Sequence, residues 1–187
     1  MDLHFARLLN STRTCRSSGA TFSQLLSLSC DRPDICSDEL VVQDNSAILS
    51  EHGDVLTDDF CRLGSLQFLR ATLALPIQDS GGTEFILSTW ASVSEEDFDA
   101  YLDMLDMQES ESYGTRPAWL ANAIPLQEGP PPMGRIRVRC DSQYPDYEIM
   151  ETEHALYNLQ ARGLSFEELL EMLQAYGHDI PSLIYDA

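Results

Sequence analysis

Lysine is absent from this 187-residue chain: all eleven basic side chains are arginine, against thirty-one acids, for a formal net charge of −20. A chain this acidic repels phosphate backbones unless it segregates a basic patch, so nucleic-acid binding is not expected, and an anionic membrane surface is disfavoured on the same ground. Long apolar runs are also missing. None approaches the roughly 18 residues that would cross a bilayer, and residues 1–10 hold Asp2, His4 and Arg7 where a secretion signal needs continuous apolar character. Five cysteines, an odd number, argue against a disulfide framework. The expectation is a cytoplasmic protein with reduced thiols. The chain also has no Gly-rich phosphate loop, G-x-S-x-G elbow or H-E-x-x-H pair. No cofactor is therefore expected and no catalytic residue is marked. Nothing in the composition speaks to oligomeric state.

What is present suffices for a core. At 43% hydrophobic and 9% aromatic residues the chain can fold despite its charge. The pattern predicts one α+β domain over residues 1–187: an irregular, cysteine-containing part over 1–60, an ordered core over 61–177 and a short tail over 178–187. In the first part a short helix over 3–9 and a strand over 39–42 are expected. Residues 67–77 and 83–93 are apolar and β-rich, and the Asp79-Ser80-Gly81-Gly82 turn between them makes an antiparallel hairpin. Ser94, with Asp97 three residues on, starts a helix whose apolar face carries Phe98, Tyr101, Leu102 and Leu105. A short helix is expected around Trp119, and both Trp90 and Trp119 are expected in the core. Residues 134–140 alternate strictly, with a partner strand over 147–151. Two helices close the chain, one over 154–162 ending at Gly163, the other opening on the Ser165/Glu168 capping box. The predicted architecture is an antiparallel sheet of at least four strands with three main helices.

Several stretches of this ordered region carry a resemblance. They are Cys15-x-x-x-Gly19, Asp58-Asp59-Phe60-Cys61, Leu73-Ala74-Leu75-Pro76-Ile77, the Ser88-Thr89-Trp90-Ala91-Ser92-Val93-Ser94 run, and Thr152-Glu153-His154-Ala155-Leu156 followed by Gln160 and Gly163. In order and spacing, over roughly residues 14–176, they resemble a bacterial family, domain of unknown function family 2199. The resemblance implies no activity, substrate or cofactor. Two departures stand out: Ser18 occupies the second position of the family's Cys-x-x-Cys-Gly knuckle, and Ala155 follows His154 where the family has proline.

Four constellations could carry chemistry. Cys15, Cys30, Cys36 and Cys61 supply four soft zinc ligands but lack the paired spacing of a structural site, and free cysteine commonly serves as a small buried hydrophobe. Cys61 with His154 could form a hydrolytic pair, or His154 could act with acids in a metal-dependent hydrolase, though nothing local marks either residue as activated. Arg135, Arg137 and Arg139 share one strand face and, with His154 and Trp90, could hold an anion or small molecule; alternatively Glu148 and Glu151 on the neighbouring strand pair with them. The fourth is acidic. Glu95, Glu96, Asp99, Asp103 and Asp106 crowd the Ser94 helix, within a stretch from residue 71 to 115 that holds ten acids and no base. A solvated face explains any one of them, but the concentration exceeds what solubility needs. The leading expectation is a non-enzymatic interaction or accessory protein that engages a basic partner through this helix.

Overall fold

The structure, a computed structural model, describes residues 14–50, 53–107, 113–139 and 143–179. A 3-10 turn at Gln24–Leu26 leads into β1 (Ser27–Ser29), followed by β2 (Val42–Gln43), α1 (Ala47–Ser50), β3 (Val55–Thr57) and β4 (Phe60–Leu63). The long hairpin β5 (Leu66–Pro76) and β6 (Glu84–Val93) hands over to α2 (Glu95–Met107). Then come β7 (Thr115–Leu120), β8 (Met133–Arg137), β9 (Asp146–Ile149), α3 (Ala155–Arg162) and α4 (Phe166–Ala175). The expected helix over 3–9 lies outside the described residues.

The hairpin organises the sheet. Ten residue pairs join β5 to β6, from Gln67↔Val93 to Pro76↔Glu84. From β6 the chain continues antiparallel through β7, β8 and β9, and β9 returns to β5 in parallel at Thr72↔Asp146, which closes a five-stranded barrel. Beyond it, β4, β3 and β2 extend from the first half of β5, and β1 lies parallel to β6. The α+β class stands, with a correction: the nine-stranded sheet is mixed, because β1–β6, β2–β3 and β5–β9 run parallel. The first sixty residues, expected to be irregular, supply three of these strands in full and open a fourth. The segment around Trp119 is strand β7, not helix, and Trp119 is 51% exposed instead of in the core.

Alternation explains the layers. Along β5, Leu69, Ala71, Leu73 and Leu75 face the main core inside the barrel, while Phe68 faces a second cluster with Leu56, Cys36, Cys61 and Trp90. Tyr147 fills the barrel interior and its hydroxyl donates to Pro132 O at 2.7 Å. Its ring is admitted by Gly134: a Cβ there would lie 2.7 Å from the tyrosine Cζ and collide with Glu148 O. The second cluster is roofed by residues 30–40, and Asn122 clips that strap in place. Asn122 is 2% exposed; its Oδ1 accepts from Thr89 Oγ1 and Trp90 N, each at 2.9 Å, and its Nδ2 donates to Arg32 O and Asp34 Oδ1, each at 2.8 Å.

Local signals set the helix ends. Ser94 Oγ accepts from Asp97 N at 3.1 Å at the head of α2. The buried face of that helix is Phe98, Tyr101 and Met104, whereas Leu105, expected inside, is 45% exposed. Ser165 and Glu168 form the capping box of α4. Gly163 ends α3 at φ 83°, and a Cβ there would sit 2.8 Å from Pro76 O.

Two outcomes are expected. Asn122→Ala orphans buried donors and acceptors, which cost about 1–3 kcal/mol each, so chemical denaturation should report a loss of about 3 kcal/mol with red-shifted Trp90 emission; a loss under about 1 kcal/mol would assign the strap to its apolar contacts instead. Hydrogen bonding to Arg162, with further bonds from Ser165, lowers the Glu168 carboxyl from 4.5 to about 2. The folded value is depressed, so this stabilisation is complete above pH 4.5 and fades as pH falls toward 2. Glu168→Gln keeps the box and removes the charge, so the gap in melting temperature between wild type and variant should close over that window.

Candidate functional site

Each residue singled out in the sequence has a definite place. Arg135 and Arg137 stand on β8, which ends at Arg137 short of the strand expected over 134–140, and Arg139 lies two residues past it; all three are opposite carboxylates of β9. Arg135 Nη2 lies 2.6 Å from Glu148 Oε2, Arg137 Nη2 lies 3.1 Å from Glu148 Oε1, and Arg139 Nη1 lies 3.3 Å from Asp146 Oδ2. Glu151, expected to take part, instead accepts from Met133 N at 2.7 Å. Every guanidinium of the ladder is thus partnered within the sheet, as opposite charges across neighbouring strands favour.

His154 is the N-cap of α3. Its Nδ1 accepts from Leu156 N at 3.2 Å, and Nε2 reaches Pro130 O at the same distance, which identifies the Nε2–H tautomer. Both ring nitrogens are engaged with backbone. Trp90 is fully buried in the second cluster, donates Nε1–H to Cys30 O at 3.1 Å and carries the Arg70 guanidinium 4.8 Å over its ring. Arg ladder, His154 and Trp90 therefore do not converge on one pocket wall.

The cysteines divide between the two clusters. Cys36 and Cys61 pack together in the second, with Cys30 at its edge, while Cys15 belongs to the main core. Cys140 lies outside the described residues. Burial, then the neighbouring Cys36, pushes the Cys61 thiol up, and burial likewise raises Cys30, the opposite of what a nucleophile needs. At Cys15 burial also pushes up, but hydrogen bonds from Ser17 and Ser18 outweigh it and bring the thiol down to about 6. Among the described residues no group of three or more His, Cys, Asp or Glu side chains is arranged to hold a metal ion.

The acidic helix differs from the ladder in one respect. Asp97 turns inward to Arg116, 3.2 Å away. Glu95, Glu96, Asp99, Asp103 and Asp106 point outward, and among the described residues none has an ion-pair partner. Beside them opens a cavity of 520 Å3 between α1, the β4–β5 turn and α2. Ile48, Phe98 and Leu102 form its apolar walls; Gln67, Glu95 and Asp99 are polar. Arg62 is at the rim, its Nε and Nη1 donating to Gly53 O and Ile48 O. Gln67 is the residue that reading the sequence missed. It keeps phase with Leu69, Ala71, Leu73 and Leu75 along β5, and a polar side chain in that register was the available signal. It is 7% exposed, and its Oε1 has no hydrogen-bond partner.

Replacing Arg135, Arg137 and Arg139 together by Gln should lower stability by about 1–2 kcal/mol, since half-exposed pairs contribute up to roughly 1 kcal/mol each. Unchanged melting would count against a stabilising role for these pairs and favour a ligand role.

No curated protein and no solved structure matches this chain. Residues 14–164 do match a family model, described as an uncharacterized protein conserved in bacteria (DUF2199). On the strength of that match, which takes in the cysteine turn, the barrel and the His154-capped helix, the chain belongs to this bacterial family.

Proposed function

We propose that this chain is a non-enzymatic cytoplasmic interaction protein whose α2 face engages a basic protein partner. The observation that carries the reading is the asymmetry of charge pairing. Arg135 and Arg137 of β8, together with Arg116, Arg139 and Arg162, are matched by carboxylates within the fold, whereas the outward acids of α2 are matched by none among the described residues.

That arrangement costs folding free energy. Glu95, Asp99 and Asp103 repeat at four-residue spacing, and like charges so placed destabilise a helix by about 0.2–0.5 kcal/mol per pair. Glu95 and Glu96 suit the positive end of the helix dipole, but Asp103 and Asp106 approach the negative end, with no basic residue in the last turn. A cationic partner would relieve both effects at once. Exposed Leu105 and Met107 add apolar contact area along the same helix. The odd cysteine count supports a reducing compartment.

Charge neutralisation tests the reading. The variant Glu95→Gln/Asp99→Asn/Asp103→Asn/Asp106→Asn should melt higher than wild type. Immobilised wild-type chain should capture a basic protein from a bacterial lysate with recovery that falls steeply between low and high salt, and the variant should lose that capture. Recovery that is insensitive to salt, or retained by the variant, would sink the proposal.

A further inference from the structure

We propose that the cavity between α1, the β4–β5 turn and α2 is the receptor for an arginine side chain presented by the partner polypeptide. The inference rests on the reading of α2 as a basic-partner surface, and it names the point where that partner is anchored.

Charge sets the sign of the occupant. Among the described lining residues Glu95 and Asp99 contribute two negative charges and Arg62 one positive, a net charge of −1. Arg62 is held at the rim by the carbonyls of Gly53 and Ile48. One incoming cation balances the wall, whereas an anion would meet two carboxylates. The acidic stripe continues from the cavity mouth through Asp103 to Asp106, so the surrounding field favours the same sign.

Shape and hydrogen bonding select arginine. The apolar walls, Ile48, Phe98 and Leu102, suit a trimethylene stem that travels inward while its charge stays near carboxylates. Gln67 then supplies an acceptor with no other role. Its Oε1 is buried and unpartnered, a state that costs roughly 1–3 kcal/mol unless something donates to it. Guanidinium offers five donors in a planar fork and can serve two carboxylates and a separate amide oxygen together. An ammonium group has three donors from one atom and is more strongly hydrated. The orphaned amide is therefore explained by an occupant that donates sideways as well as forward.

The test uses the full chain and three synthetic peptides, Ac-Gly-Arg-Gly-NH2 and its lysine and citrulline counterparts, followed by amide chemical shifts. The arginine peptide should shift resonances of Gln67, Phe98 and Asp99, the lysine peptide should bind more weakly, and the uncharged citrulline peptide should not bind. Gln67→Leu removes the acceptor while filling the same space, and should weaken the arginine peptide about tenfold, the value of one hydrogen bond to a charged group. Glu95→Gln/Asp99→Asn, both at exposed positions, should weaken it as well, which guards against a folding defect in the Gln67 variant. Equal binding of lysine or citrulline, or an unchanged affinity in Gln67→Leu, would overturn the arginine receptor. If such peptides instead shift only residues along Asp103 and Asp106, the cavity assignment fails while the acidic surface stands. If none binds and lysate capture survives neutralisation of α2, both readings fall.

Discussion

The side chain of Asn122 holds the two halves of this protein in register. An amide offers two acceptor lone pairs and two donors, and all four are used across one buried point. On one side they meet Thr89 and Trp90 of β6, on the other Arg32 and Asp34 of the N-terminal strap. Only with the strap so held does the second cluster have a roof, since Cys36 enters it from that segment while Phe68 and Trp90 enter from the hairpin. The same hairpin faces the barrel core on its other side. Its β5–β6 ladder is thus sandwiched, and the polar clip makes the sandwich specific where apolar contacts alone would tolerate sliding.

Much of the fold was legible because its signals are local. The β5–β6 hairpin is declared by its turn, α4 by a capping box whose two residues are three apart, and α3 by its terminal glycine. What could not be read is non-local. The strand expected over 39–42 is reduced to β2, Val42–Gln43, because only those two residues have β3 beside them. The parallel return of β9 to β5 joins positions over seventy residues apart, which no window of sequence contains. In β7 the apolar group around Trp119 suggested a helix, yet only Ala118 and Leu120 turn inward, at strand spacing. Leu105 and Met104 exchanged places relative to expectation because one helical step decides which of them meets the core.

The candidate site divides in the same way. The acids of α2 stand out in composition, so the surface was visible. Its cavity was not, because Ile48, Gln67 and Phe98 come from three elements and only the fold brings them together. The arginine ladder looked equally conspicuous. Of its two readings, pairing across to the neighbouring strand is the arrangement present, with Asp146 beside Glu148 in the place expected for Glu151. A cluster of one sign is informative only after its neighbours of opposite sign are located.

Barrel closure also bears on how the chain reaches this state. Strands β5 through β8 can pair in sequence order, each with a neighbour that follows it along the chain. The seam between Thr72 and Asp146 cannot form until the whole intervening segment exists, and Leu164 adds a second distant bridge at Ile77. Long loops must close before such contacts return any free energy, which slows folding. During synthesis the outer edge of β5 beyond Arg70 stays open until β9 has left the ribosome. The half-built sheet therefore carries an unpaired edge for that interval, and the strong negative charge of the segment that follows β6 helps keep nascent chains apart while it lasts.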